Sequence, residues 1–540
     1  MNFLSKNAPL KESIKNMQKA LKKVKCETTF SQEKHPLKNC YSVNLASVEA
    51  PNHIYSNGKG IISDASQASA LGEYIERLQT NNFFIDFHLP KRDYYPDALT
   101  FDFGGDYLNE KLQKIYNPNS EQSLEDLIDY NSDHTEKIVS LPFLNADTDE
   151  KVYFPLNILS NLYVSNGLAT GNTPLEAKVQ ALSEIFERYA KMEIIKNGYA
   201  LPSFPDAIIQ SFDKLYEDIT RLRDLGYLVE VLDASLGGLY PVTAISLINP
   251  KNSTLFVSFG AHPILQVSLE RTMTELMQGR DLDDLDAFET PTFDMDIVSD
   301  NFNLEAHFID SNGKIGFGFL NSQKSFDYVP WKYDKSGNDA EYEYLTQILH
   351  HMDKEIYLRE YNYLGFYSCQ VIVPGVSEIY PIDDMIYNNK NNGKLIRDMV
   401  LNFTKYDPAD ILNVIEALDD SLNIERYIGV IFQKNFTMLE FKAQIYILNN
   451  DSEEALWLLE SSDNIMCKIL AEIIRINQDK LIWSDYEKAL YSIFTEEKVK
   501  KAKAILEKKD FLIDTALHTD YDNILSLFDR LDIEKRAYHA

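Results

Sequence analysis

Two stretches of this sequence repeat acids at a spacing that can do chemistry. Residues 70–78 read ALGEYIERL and residues 181–189 read ALSEIFERY, both of the form Ala-Leu-x-Glu-x-x-Glu-Arg. Glutamates three apart on a helix share a face, so Glu73 lies beside Glu76, and Glu184 beside Glu187. Glu176 and Gln180 extend the second stripe within the two turns before Glu184. Like charges on one face cost about a few tenths of a kcal/mol per pair in isolation. Four glutamates brought together would cost more unless a cation sat between them. Hard carboxylate oxygens suit magnesium, which takes one or two carboxylates and keeps phosphate or water as its other ligands. The pattern therefore predicts magnesium between two helices, bridging to the phosphates of ATP.

A single Glu-x-x-Glu-Arg helix reads more simply as a solvated face whose acids pair with neighbouring arginines. The second copy argues against that reading. Each copy is preceded by Ser-Asn-Gly, at residues 56–58 and 165–167, so the order loop, small-residue turn and acidic helix occurs twice. The copies lie too far apart for a solenoid repeat and read as two related substructures.

A phosphate site also needs cations. Arg77 and Arg188 adjoin the carboxylates, and SLERTMTE at 268–275 supplies Arg271 and Glu275 four apart on one helix face. The arginine fork can bond two phosphate oxygens at once. Lys6 and Ser13, on a first helix, could add contacts, although alone they are ordinary surface types. His262 follows a strand and reads as a packed histidine near the site. His350 and His351 are adjacent and read as a surface pair. The run DLDDLDAFE at 281–289 reads as a solvated loop. The chain has no GxxxxGK[ST], GxGxxG, HExxH or GxSxG, which removes the P-loop, dinucleotide-fold, zincin and serine-hydrolase readings.

The elements that must position these residues follow from periodicity. Residues 9–25 form an amphipathic helix, with Leu10, Ile14, Met17, Leu21 and Val24 at helical spacing. Residues 36–60 read as strands and a hairpin, and 64–81 as a helix. Mixed strand and helix patterns continue to about residue 380. Asn389, Asn391, Asn392 and Gly393 read as a linker. Beyond residue 395 the chain is almost wholly helical, with segments 408–422, 437–449, 453–461, 465–477, 485–495 and 497–508 and short connections. The expected fold class is α+β: a mixed core over 1–395 with two related carboxylate-helix substructures, then an all-helical domain over 396–540.

Bulk properties agree with a globular protein of about two to four domains. The 53 basic residues against 83 acidic ones give a net charge of −30, which excludes a phosphate-gripping basic face for nucleic acid and disfavours anionic membranes. The N-terminus carries no apolar signal stretch and no run reaches the ~18 apolar residues of a membrane span. Four scattered cysteines, none in a CxxC pair, fit a reducing compartment. The expectation is a cytoplasmic protein, with a homodimer as the default assembly.

The segments SNGKG…ASALGEYIER, NLYVSNGLATGNTPLEAKVQALSEIFERYAK, DASLGGLYPV, SFGAHP and LERTMTELMQGRDLDDLD resemble the YcaO family over almost the full length. The resemblance implies an unconventional ATP site between glutamate-rich helices. Carried over by motif, the metal-facing residues are Glu73, Glu76, Glu184, Glu187 and Glu275. Nucleotide contacts come from Lys6, Ser13, Ser69, Asn172, Glu176, Gln180, Arg188 and Arg271, with Arg188 and Arg271 in catalytic positions. The implied reaction is phosphorylation of a peptide amide oxygen after a nucleophile adds to the carbonyl, as in azoline, thioamide and amidine formation. Azoline-forming members commonly end in a proline-rich tail, whereas this chain ends DIEKRAYHA. That favours the branch with a tetratricopeptide-like C-terminal module, which assists β-methylthiolation of a small-subunit ribosomal protein by a radical methylthiotransferase. An ATP-binding adaptor without turnover and a thioamide- or azoline-forming enzyme acting on a precursor peptide are the alternatives. No general base is identifiable from the sequence.

Overall fold

In the computed structural model, residues 3–309 and 311–540 are described. Twelve described strands form three antiparallel sheets. The first contains β1 (Thr28–Leu37), β2 (Cys40–Ser47) and β3 (Tyr55–Gly60), with β2 in the middle. A second, six-stranded sheet contains β4 (Leu99–Phe101), β5 (Ile138–Asn145), β6 (Lys151–Pro155) and β7 (Leu168–Gly171). The third contains β8 (Leu228–Asp233), β9 (Val242–Asn249) and β10 (Thr254–Ala261), with β9 in the middle. The six-stranded sheet is completed by β11 (Tyr357–Tyr361) and β12 (Tyr367–Ile372), so that β12 lies beside β7.

Each sheet delivers one helix to a common centre. β3 is followed by helix Ser63–Gln79, β7 by Pro174–Asn197 and β10 by Leu265–Met277. The two substructures expected from the Glu-x-x-Glu-Arg repeat are thus joined by a third strand-and-helix unit, the one bearing Arg271 and Glu275. A glycine on each strand lets the helix cross at backbone contact. A Cβ on Gly58 would lie 2.0 Å from Ser66 O, and one on Gly171 would lie 2.6 Å from Ala177 N. Gly260 makes the same approach to Thr272.

The helices are built to show one face to the core and one to the centre. In Ser63–Gln79, Ala70, Leu71, Tyr74, Ile75 and Leu78 are buried, which turns Ser69, Glu73 and Glu76 the other way. In Pro174–Asn197, Ala177, Ala181, Leu182, Ile185 and Phe186 are buried. That helix starts cleanly because Thr173 accepts a hydrogen bond from Glu176 N–H and Pro174 holds the first turn. It ends at Gly198, whose φ of 62° suits the left-handed cap.

Several expectations are revised. The first Ser-Asn-Gly lies within strand β3 rather than in a loop, because its glycines are needed for helix contact. The run at 281–289 contains a short helix, Leu282–Asp286, with a capping box at Asp281 and a buried Leu285. Phe288 stacks on Phe256, 4.3 Å between ring centres. The segment read as a linker is interior. Asn389 Nδ2 donates to Asp126 O (2.7 Å) and Met385 O (2.8 Å), Asn391 Nδ2 donates to Glu125 O (3.1 Å), and Gly393 sits directly against the Tyr427 backbone. Buried asparagines with every amide satisfied fix a junction, whereas the same composition in solvent would release one.

The C-terminal region is helical, as expected. The helix expected over 408–422 stops at Ile415, and Asp419 accepts from Ser421 N–H (2.7 Å) in the turn beyond it. The last helix, Thr519–His539, returns to the core. Arg92 pairs with Asp529 (2.7 Å), Arg530 donates to Val24 O (3.0 Å), and the buried Lys535 donates to Asn81 Oδ1. One apolar cluster accordingly runs from Met17 to Leu531. No described helix is long and apolar enough to cross a membrane.

Candidate functional site

The three carboxylate helices and the segment before the first helix, Leu10–Lys23, enclose a cavity of about 760 Å³. Every candidate residue lines it: Lys6, Ser13, Ser69, Glu73, Glu76, Arg77, Asn172, Glu176, Gln180, Glu184, Glu187, Arg188, Arg271 and Glu275. Chain segments hundreds of residues apart in sequence are brought together there.

One group of lining residues is a neutralised polar cluster. Glu176, almost wholly buried, accepts from Asn7 N–H (3.0 Å) and Asn172 Nδ2 (3.0 Å), and pairs with Lys6 (3.2 Å). Ser13 Oγ donates to Asn172 Oδ1 (2.8 Å). Arg271 donates to Gln180 Oε1 and to Ala261 O (2.9 Å), which fixes its fork against the second helix. His262 is buried as expected, with Ser5 Oγ at 3.0 Å, and burial together with Arg271 and Lys6 pushes its pKa down.

The glutamates form a second group of lining residues, and their arrangement differs from simple convergence on one ion. Glu73 pairs with Arg77, Glu184 with Arg188 (2.8 Å) and Glu275 with Lys59. Glu76 and Glu187 make no side-chain hydrogen bond or ion pair among the described residues. No group of three or more His, Cys, Asp or Glu side chains is drawn together tightly enough to hold an ion among the described residues. The physical reason is mutual repulsion: each helix supplies its own cation to one acid of the pair, leaving the other bare.

Electrostatics register that deficit. Burial, and then the Glu184 and Glu73 carboxylates, hold the Glu76 carboxyl well above the usual range, against the opposing pull of Arg77 and Arg188. Burial also raises Glu184, and Arg188 opposes it. Two acids that close no direct ion pair, set among cations in one cavity, fit a divalent cation that takes one or two carboxylates and completes its shell with phosphate oxygens. Glu76 and Glu187 are the bare ligands available. Arg188, Arg271 and Lys59 are the cations available to phosphate.

Three lining residues carry chemistry that the sequence reading passed over. Lys191 sits one turn beyond Glu187 on the same helix stripe, so its spacing was a usable signal. Its Nζ donates to His307 O (2.6 Å) and Ser311 Oγ (2.8 Å), and burial lowers its pKa to about 8. Lys59 lies in the Asn-Gly-Lys-Gly run. Arg280 stacks on Phe256, 4.6 Å from the ring centre. The pairing of Lys59 with Glu275 depends on two sheets meeting, which no local pattern reports.

The fold and the cavity meet in a known class: residues 57–377 match the family described as YcaO cyclodehydratase, ATP- and Mg2+-binding. The chain belongs to the YcaO family. It is 34% identical over 99% of its length to the ribosomal protein S12 methylthiotransferase accessory factor YcaO of Escherichia coli, and the match covers 98% of that protein. It is 36% identical to an uncharacterized protein of Haemophilus influenzae, over 94% of this chain and 92% of the other. Among solved structures, a heterocyclase in complex with substrate and cofactor shares the fold, with a TM-score of 0.50 and 18% identity over 71% of this chain and 55% of that one.

Proposed function

We propose that this protein binds ATP with Mg2+ in the three-helix cavity and uses it to activate a backbone amide of a protein substrate, as an accessory factor in β-methylthiolation of a small-subunit ribosomal protein. The observation that carries this reading is the pair of bare glutamates, Glu76 and Glu187, on two helices facing one cavity with arginines beside them. The role named for the Escherichia coli relative supports the substrate assignment.

Glu76 and Glu187 would hold the metal, with Glu73, Glu184 and Glu275 available once their own cations turn to phosphate. Lys6, Ser13, Ser69, Asn172, Glu176 and Gln180 would position the nucleotide. Bound Mg2+-ATP supplies the phosphoryl group that converts an amide oxygen into a leaving group. Arg188 and Arg271 would stabilise charge on that group, because fixed cations in a site shielded from water act without reorganising. Gln180 keeps Arg271 aimed, and Phe308 supports the Arg188 guanidinium from below, 4.8 Å away.

A second reading is an ATP-binding adaptor that recruits the methylthiotransferase without turnover. The words "accessory factor" in the relative's name favour it. ATP hydrolysis, measured with and without the candidate ribosomal protein and methylthiotransferase, separates the two. The first reading expects Mg2+-dependent hydrolysis that is lost in Glu187→Ala and Arg188→Ala. Wild-type turnover in those variants overturns it. Nucleotide binding without hydrolysis under every condition selects the adaptor.

A further inference from the structure

We infer that the apolar strip on residues 293–309 is the docking surface for an extended protein segment bearing apolar and basic side chains, held at the cavity mouth. The inference rests on the amide-activating reading above and names the chemistry of the substrate segment.

The strip is unusually exposed for its composition. Phe293 is 82% exposed, Phe302 80%, Ile309 65% and Ile297 46%. Phe302 and Ile309 are seven apart on helix Asn301–Ile309 and therefore share a face. Phe293 stacks on Phe317, 4.5 Å between ring centres, which keeps the ring flat on the surface. Exposed apolar groups gathered on neighbouring elements and flanked by polar ones mark interaction sites.

Its position ties it to the chemistry. Phe308 and Ile309 line the cavity, and the Phe308 ring lies under the guanidinium of Arg188. A segment lying along Phe302 and Ile309 would therefore run toward the phosphoryl-facing arginine.

Charge selects the occupant. From residue 289 to 309 the chain carries Glu289, Asp294, Asp296, Asp300 and Glu305, with no Lys or Arg. Asp294, Asp296 and Asp300 are exposed, so their charge faces whatever docks. A second copy of this chain would set the same acids against themselves across a two-fold axis, because an isologous interface uses the same patch twice. An apolar segment with lysines or arginines meets both the rings and the carboxylates.

The test uses the full-length protein and a short fluorescein-labelled peptide alternating leucine and lysine, followed by anisotropy. Wild type should bind it, and Phe293→Ser with Phe302→Ser should weaken binding about tenfold. Asp294→Asn, Asp296→Asn and Asp300→Asn together should weaken it and flatten its salt dependence. Asparagine retains the helix-start hydrogen bonds that Asp294 and Asp300 accept. All variants should bind Mg2+-ATP as wild type does, which reports the fold and the nucleotide site separately. The inference is overturned if wild type does not bind the peptide, if the phenylalanine variant binds equally well, or if a leucine–glutamate peptide binds as tightly. It is also overturned if the phenylalanine substitutions convert a dimer to a monomer by light scattering. Loss of Mg2+-ATP binding in wild type would instead undo the functional reading beneath it.

Discussion

The guanidinium of Arg188 closes a 2.8 Å ion pair with the Glu184 carboxylate one helical turn before it, while Glu187, one residue away, closes no direct ion pair or side-chain hydrogen bond among the described residues. One helix thus presents a neutralised acid, a bare acid and a cation to the same cavity. Pairs at this spacing contribute only about 0.3–0.5 kcal/mol to a helix, so stability is not a sufficient reason for the arrangement. Under the proposed function, the arrangement places charge where a phosphoryl group would react.

Arg188→Ala is accordingly expected to reduce Mg2+-dependent ATP hydrolysis by about 10²–10³-fold, the usual effect of removing one fixed donor from developing charge. Arg188→Lys should recover part of it, because lysine keeps the charge and loses the fork. The melting temperature should hardly move. Phosphate-release assays and a thermal melt measure both, and turnover within twofold of wild type in Arg188→Ala contradicts the role.

The raised cavity acids Glu76 and Glu184 predict a pH-dependent response to magnesium. Glu76 is raised well above 4.5 and Glu184 is raised as well, so between the ordinary carboxylate value and the folded value the native state binds more protons than the unfolded one. Stability of the ligand-free protein therefore falls as pH rises through that window. A divalent cation offsets the repulsion that appears there. The rise in melting temperature on adding Mg2+ should grow with pH and vanish below about pH 4.5. Glu76→Gln should remove most of the response and stabilise the ligand-free protein. A magnesium response independent of pH argues against these acids as its source.

The crossing of strand and helix at Gly58 predicts a steric cost. A methyl group there meets the Ser66 carbonyl and the backbone of Ala70, neither of which can turn aside. Gly58→Ala should destabilise by about 1–3 kcal/mol in urea unfolding and displace Glu73 and Glu76, weakening nucleotide binding too. A variant as stable as wild type would show that the helix can shift outward freely.

The terminal helix offers a separate pH signature. Burial lowers Lys535 to about 7, with its Nζ on Asn81 Oδ1 and 4.7 Å from the Phe528 ring centre. An unfolded lysine keeps its proton to about pH 10.5, so between 7 and 10.5 the unfolded state binds more protons and stability rises with pH. The slope should reach up to about 1.4 kcal/mol per pH unit and flatten in Lys535→Met. Denaturant unfolding at pH 7 and pH 9 decides it.

Much of this was written in local periodicity. The acidic helices, their shared faces and the helical C-terminal region follow from 3.6-residue spacing and capping residues. The third strand-and-helix unit was legible only as Arg271 and Glu275 on one face. What escaped was set by tertiary contact. Lys59 meets Glu275 only because the first and third sheets converge, and the Asn389–Gly393 run reads as a linker until Asp126, Glu125 and Tyr427 close around it. Ser69 and Asn172 came from the family resemblance alone, since neither residue type nor spacing singles them out.

The most direct measurement is calorimetric titration of ATP into wild type, Glu187→Ala and Arg188→Ala, each with Mg2+ and with chelator. Saturable binding should occur in wild type with Mg2+, fall about tenfold or more when the metal is chelated, and weaken comparably in both variants. Equal affinity in wild type and Glu187→Ala, or binding indifferent to Mg2+, would contradict a metal–nucleotide site between these helices.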